Sequence, residues 1–207
     1  VNTSAVMTDM NQVLGYNVGN ALEVVEAIQF LRGDKRDARL LEVVLALGSQ
    51  LMLQGRLADN LATAQQRLEQ ALAQGSALDV FARMVSALGG PTDLVERMDY
   101  YLPHAAHQFP VFAAQAGYIH TIDARTLGLS LSVLGGARVT QHDTINYSVG
   151  LADVKGIGSW VDGHNPVAII HANNVDQAEQ ARHAIQAAFH LVDHPPIIPA
   201  SIHKTLT

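Results

Sequence analysis

Residues 8 to 26 read Thr-Asp-Met-Asn-Gln-Val-Leu-Gly-Tyr-Asn-Val-Gly-Asn-Ala-Leu-Glu-Val-Val-Glu, and no other stretch constrains the chain as much. A polar loop with Gly15 and Gly19 stands between the apolar run Ser4 to Met7, which has strand character, and a helix with a marked start. Asn20 can cap that helix, and Glu23 can reach back as in a capping box, so the loop is predicted to be fixed at both ends. Such loops between a strand and a helix N-terminus are where sites tend to be built. Hard cations take oxygen ligands, and inward-turned carbonyls at glycines, with a glutamate from the helix, can supply them. The same residues also make an ordinary capped turn, and residue chemistry alone leaves both readings open.

The periodicity after this loop is helical. Val24, Ala27, Ile28 and Leu31 fall on one face, with Gly33 as a stop. A second helix over about Asp37 to Gly55 is apolar around most of its circumference (Leu40, Leu41, Val43, Val44, Leu45, Leu47, Leu51, Met52) and is expected to be buried on several sides. A third, about Asp59 to Gly75, has a polar face and belongs on the surface. A fourth starts at Ser76 with Asp79 in the capping-box position, is expected to bury Leu78, Phe81, Val85 and Leu88, and stops at Gly89-Gly90.

Near Tyr100 the pattern changes. Prolines and histidines at 103, 104, 107 and 110 mark a loop, after which Pro110 to Ala113 and Gly117 to Asp123 read as strands. Ala124 to Leu134 is read as a short helix ended by Gly135-Gly136. Asp143 to Gly150, Leu151 to Lys155 and Pro166 to His171 read as further strands, with Asp162-Gly163 as a hairpin signal. A last helix is expected from about Val175 to Val192, and the proline-rich tail at 195 to 199 cannot continue it. The expectation is an α+β chain: a helical part over residues 1–102, then a β-rich part over 103–207 closed by a helix.

Composition excludes several functions. With 48% apolar residues among 207 the chain can fill a core, while a net charge of -6 and only 13 Lys+Arg argue against a nucleic-acid surface or a polybasic membrane patch. The absence of cysteine removes disulfides, thiolate metal sites and cysteine nucleophiles, and permits a cytoplasmic location. The ten histidines lack metal-ligand spacing; His190 and His194 are expected to straddle a helix end, and the rest read as solvated. Gly135-Gly-Ala-Arg138 could form an anion nest or be a plain helix stop followed by a surface arginine. Asp93 with Glu96, or Asp9 with Glu26, could be paired carboxylates or ordinary surface and capping charges. No residue is assigned a catalytic or substrate-binding role, and the start at Val1 leads us to expect that further residues precede it.

In the same loop, Thr8-Asp-Met-Asn-Gln12, Leu14-Gly-Tyr, Val18-Gly-Asn-Ala-Leu-Glu-Val24 and Glu26-Ala-Ile resemble a segment of the thymidine and pyrimidine-nucleoside phosphorylases. The likeness continues in order through Leu47-Gly48, Gly75-Ser-Ala77, Gly117-Tyr-Ile, Asp123-Ala-Arg-Thr-Leu-Gly128, Leu134-Gly-Gly-Ala-Arg138, Asp143-Thr-Ile, Ser148-Val-Gly150 and Ile169-Ile-His-Ala172. The resemblance implies the C-terminal portion of an α/β enzyme, with a hammerhead-like domain over about Phe109 to His171. It implies a pentosyltransferase, homodimeric when full-length, in which phosphate attacks the anomeric carbon of a pyrimidine nucleoside without an organic cofactor. The family's phosphate and base contacts lie upstream of the Thr-Asp-Met-Asn-Gln segment, so residues 1 to 207 alone are expected to be inactive. The resemblance also implies a structural cation held by the backbone oxygens of Leu14 and Asn17 and by Glu26. A rival from another class is a carrier or binding module of the lipoyl or biotinyl type, which would need a lysine where the sequence has Asp162-Gly163.

Overall fold

The computed structural model describes residues 3–206, and they form an α+β arrangement. By contacts the chain divides into two compact units: Val1–Asp9, Ala27–Tyr101 and Pro199–Thr207 in the first, Met10–Glu26 and Leu102–Ile198 in the second. The N-terminal reading at Val1 lies outside the described residues.

In the first unit β1 (Ala5–Thr8) pairs antiparallel with β8 (Ile202–Leu206), a strand that the sequence pattern did not predict. Around them lie the end of α1 (Asn20–Arg32), then α2 (Ala38–Gln54), α3 (Leu61–Ala73), α4 (Ser76–Ala87) and the short α5 (Met98–Tyr101). Asp37 caps α2 by accepting from Leu40 N, and Asn60 caps α3 by accepting from Thr63 N, so both helices start where a short side-chain acceptor is available. Gly48 lets α3 approach α2 closely, since a Cβ there would stand 2.8 Å from a methyl of Leu68. Arg36 fastens the bundle by donating to Phe30 O at 2.7 Å and Leu72 O at 3.1 Å. The side chain of Asp9, with no exposed surface, accepts from Arg39 of α2 at 3.0 Å.

Two helices differ from expectation. Only Val43, Leu45 and Ser49 of α2 are buried within the unit, while Val44, Leu47 and Leu51, one apolar stripe, remain exposed. On α4 no residue is fully buried: Leu78, Phe81 and Val85 are half-covered and Leu88 is exposed. Its start is Gly75 in a left-handed conformation without a side-chain cap bond, so Asp79 has no capping-box partner there. Periodicity predicted the helices correctly, but it carries no information on which apolar stripe meets a partner.

The second unit holds two three-stranded antiparallel sheets. One has the order β2 (His107–Val111), β6 (Ala168–Ala172), β4 (Gly150–Ala152), and the other β5 (Trp160–Val161), β3 (Gly117–Ile122), β7 (Phe189–Val192). Pro110 fits because β2 is an edge strand, where a missing N–H disrupts no inner ladder. Helices α6 (Ala124–Val133) and α7 (Val175–Ala187) complete the unit, capped by Asp123 and Asn174. One apolar cluster joins both sheets and both helices, with Val111, Ile119, Leu127, Leu151, Ile170 and Ile185 fully enclosed. Burying such side chains contributes about 1.5–3 kcal/mol each, which makes this cluster the main source of the unit's stability.

The strand readings need three corrections. Residues 143 to 149 form an irregular segment with a turn at Tyr147-Ser148 rather than a strand, because Asp143 folds back to accept from Val139 N and Thr140 N. The last helix stops at Ala187, and β7 follows to pair with β3, so the predicted helix end at Val192 is a strand. Asp162-Gly163 is not a hairpin tip: β5 pairs with β3, and β6 pairs with β2 and β4, so this turn carries the chain from one sheet to the other. Asp162 shapes it by accepting from His164 N and Asn165 N, each at 2.8 Å. Those two bonds hold its carboxyl well below the usual value, at about 2. The turn's contribution is thus fully present above the unfolded value near 3.8 and is lost as pH falls through 2. A carboxyl-detected NMR titration should give a midpoint near 2 for Asp162, and a midpoint at the ordinary aspartate value would contradict these bonds.

Candidate functional site

Of the stretch that the sequence marks out, Met10–Glu26 lies within the second unit. Its organising group is Glu26, which α1 presents with only 6% of its surface exposed. The carboxylate accepts from Tyr16 N, at 3.1 and 3.3 Å to its two oxygens, and from Asn17 N at 2.9 Å. A buried carboxylate without such donors would be costly, so the backbone of the loop and the side chain of the helix fix each other. Gly15 is required by this closure, because a Cβ at that position would stand 1.8 Å from Glu26 Oε1. Asn17 adds a bond from its amide to Leu22 O at 3.0 Å.

The predicted helix start is shifted by one residue. Glu23 does reach back, but its carboxylate accepts from Gly19 N at 2.9 Å. Asn20 is the first helical residue, and its side-chain amide donates to Gly136 O at 3.0 Å. Gly19, at φ 128°, could not be replaced cheaply, since a Cβ would lie 2.7 Å from Val149 O.

The loop also docks on the β-rich body. Val18 and Leu151 exchange backbone bonds of 2.8 and 2.7 Å, Val154 N donates to Tyr16 O at 2.9 Å, and Ile157 N donates to Gln12 Oε1 at 2.9 Å. Gly150 allows this approach: a Cβ there would be 2.3 Å from Val18 O. Gln12, 5% exposed, was not singled out from the sequence, and its partner 145 positions away is not visible in local pattern.

The cation ligands expected at Leu14, Asn17 and Glu26 all belong to this loop and the helix that follows it. Among the described residues no hydrogen bond is made to the carbonyl oxygens of Leu14 or Asn17, and the Glu26 carboxylate is held at the same loop. Three oxygens of this hardness fit a Ca²⁺-like ion in kind; in number they fall short of the six to eight it takes. Among the described residues no group of three or more His, Asp or Glu side chains is placed to hold a metal.

The other candidates resolve into structural roles. The amides of Gly135 and Gly136 are committed to Ser132 O and Leu131 O at the end of α6, so they close a helix and form no anion nest. Asp93 accepts from the Tyr101 hydroxyl at 2.7 Å and pairs with Arg97, the former holding its carboxyl below the usual range. His190 lies on β7 rather than at a helix end, and His194 stands 3.0 Å from Asp193. Nine histidines are exposed; only His171 is half-buried, and burial pushes its pKa down. Among the described residues no helix is long and apolar enough to cross a membrane.

The second unit is therefore an α+β body with a polar loop clamped on it. Residues 118–192, from β3 to the end of β7, match the family described as the pyrimidine nucleoside phosphorylase C-terminal domain. That match covers the stretch in which several of the resembling motifs lie, and it is consistent with a C-terminal portion of the family.

The clamp predicts the effect of a minimal change. Gly15→Ala must displace the Glu26 carboxylate and should lower stability by about 2 kcal/mol in urea unfolding. Unchanged stability would show that the carboxylate does not sit against Gly15.

Proposed function

We propose that this chain works as the C-terminal portion of a thymidine or pyrimidine-nucleoside phosphorylase. In the reaction phosphate attacks the anomeric carbon of the nucleoside, the glycosidic bond breaks, and free base and a (deoxy)ribose 1-phosphate are released. The match of residues 118–192 to the family's C-terminal domain carries this reading, and the collinear motifs from Thr8 to Ala172 support it. On this reading residues 1–102 belong with the family's larger α/β domain and 103–207 form the β-rich domain, within a cytoplasmic homodimer. The groups that orient phosphate and base come from outside residues 1 to 207, and positioning and charge stabilisation depend on them. This chain's own contribution is mechanical: Glu26 holds residues 15 to 17 at fixed positions, so a neighbouring site meets a preformed wall.

In the same proposal a structural cation is held by Leu14 O, Asn17 O and the Glu26 carboxylate, with its other ligands supplied by water or by another segment. The carrier alternative has no support at the turn where it requires a lysine, since that turn reads Asp162-Gly-His-Asn165 and is not a hairpin tip.

Grafting residues 1 to 207 in place of the corresponding segment of a full-length phosphorylase tests both points. The chimera should phosphorolyse thymidine or uridine while the isolated chain does not, and added cation should raise its melting temperature unless Glu26→Ala is present. A folded but inactive chimera, or turnover by the isolated chain, would contradict the proposal. Melting that is identical with and without cation would remove the cation from it.

A further inference from the structure

The outer face of the sheet β5-β3-β7 carries a feature that neither the fold nor the phosphorylase reading uses. Gly117, Ile119 and Val161 turn inward and are buried, which places their neighbours Tyr118 and Trp160 on the opposite face. Register sets Trp160, Tyr118 and Val192 directly across from one another, as a row over all three strands. The two rings meet edge to face, with centroids 5.0 Å apart and planes at 69°. Trp160 nevertheless leaves 46% of its surface exposed. An exposed tryptophan held by a tyrosine is the kind of rigid aromatic anchor at which binding energy concentrates.

The charge around this row is one-sided. The indole N–H donates to Asp162 Oδ2 at 3.1 Å, while Asp162 Oδ1 accepts from His164 N, Asn165 N and Asn165 Nδ2. The carboxylate is therefore fixed beside the ring, and Oδ2 keeps a lone pair for another donor. Asp193, directly after Val192, has a side chain 99% exposed. The three strands carry no lysine or arginine, and within the second unit Arg125, Arg138, Lys155 and Arg182 stand against nine acidic residues. An aromatic platform can also stack nucleobases, but this balance repels phosphate.

We propose that this face docks an arginine-bearing segment of a protein partner, with a guanidinium stacked on Trp160 and paired with Asp162. Arginine fits better than lysine, because its planar group stacks on a ring while an N–H at its edge donates to the open position on Asp162 Oδ2. The face demands no rearrangement of the second unit, since the turn that fixes Asp162 is already closed by its own hydrogen bonds.

Trp160 is the only tryptophan in the sequence, so its emission reports on this face alone. The experiment titrates the full chain with a short arginine-rich peptide, a lysine counterpart, an uncharged glycine-serine peptide and a single-stranded oligoadenylate. The arginine peptide should shift the emission saturably, with an affinity that falls as salt rises, and the lysine peptide should bind about fivefold more weakly. Glycine-serine and oligonucleotide should leave the signal unchanged. Anisotropy of a labelled arginine peptide should show lost binding to Trp160→Leu and an intermediate affinity for Trp160→Phe, the second variant serving if the first does not fold. No saturable response to the arginine peptide, an equal response to the uncharged peptide or the oligonucleotide, or unchanged affinity in either variant would overturn the proposal.

Discussion

A carboxylate withdrawn from water must be met by donors, and at Glu26 those donors are two backbone amides of the preceding loop. Much of the second unit's organisation follows from that requirement. The loop must bend at Gly15 so that Tyr16 N and Asn17 N both face the carboxylate, and this bend brings Tyr16 O to Val154 N and Val18 to Leu151. Through those bonds a single side chain on α1 fixes the distance between a helix and the strand β4. The apolar cluster supplies most of the free energy, while the polar clamp decides which of many compact arrangements the loop adopts.

Glycine placement is the counterpart of this clamp. Gly15, Gly19 and Gly150 stand where another side chain would strike a carboxylate or a carbonyl, so the loop and the sheet approach at backbone distance. Such contacts transmit position well because there is no flexible side chain between them.

Much of this was legible in the sequence where the determinants are local. Helices α2, α3, α6 and α7 lie close to where periodicity puts them, and Gly135 ends α6. The caps Asn60, Asp123 and Asn174 were not read as such, however, and those expected at Asn20 and Ser76 each fall one residue off. The loop's importance was also visible, because polar residues, two glycines and a glutamate at helical spacing crowd into one stretch. Long-range pairing was not visible. β8 exists because β1 lies beside it, and β7 because β3 does, whereas as sequences both are unremarkable runs after a proline-rich tail or a helix. The Asp162-Gly163 turn looked like a hairpin because its residue types suit tight turns of several kinds, and only the register of the flanking strands distinguishes them. The one-residue shift at the start of α1 arose from a tertiary acceptor, Gly136 O, to which Asn20 donates. The donor role of the loop amides was likewise hidden: a sequence shows that Glu26 can reach the loop but not whether it meets carbonyls or N–H groups there.

Amide hydrogen exchange at Tyr16 and Asn17 tests the clamp most directly. In the native chain both amides should be protected, and in Glu26→Ala they should exchange far faster while Ile170, in the centre of its sheet, keeps its protection. Native-like protection of Tyr16 and Asn17 in that variant would contradict the account, because the loop would then be held by something other than the Glu26 carboxylate.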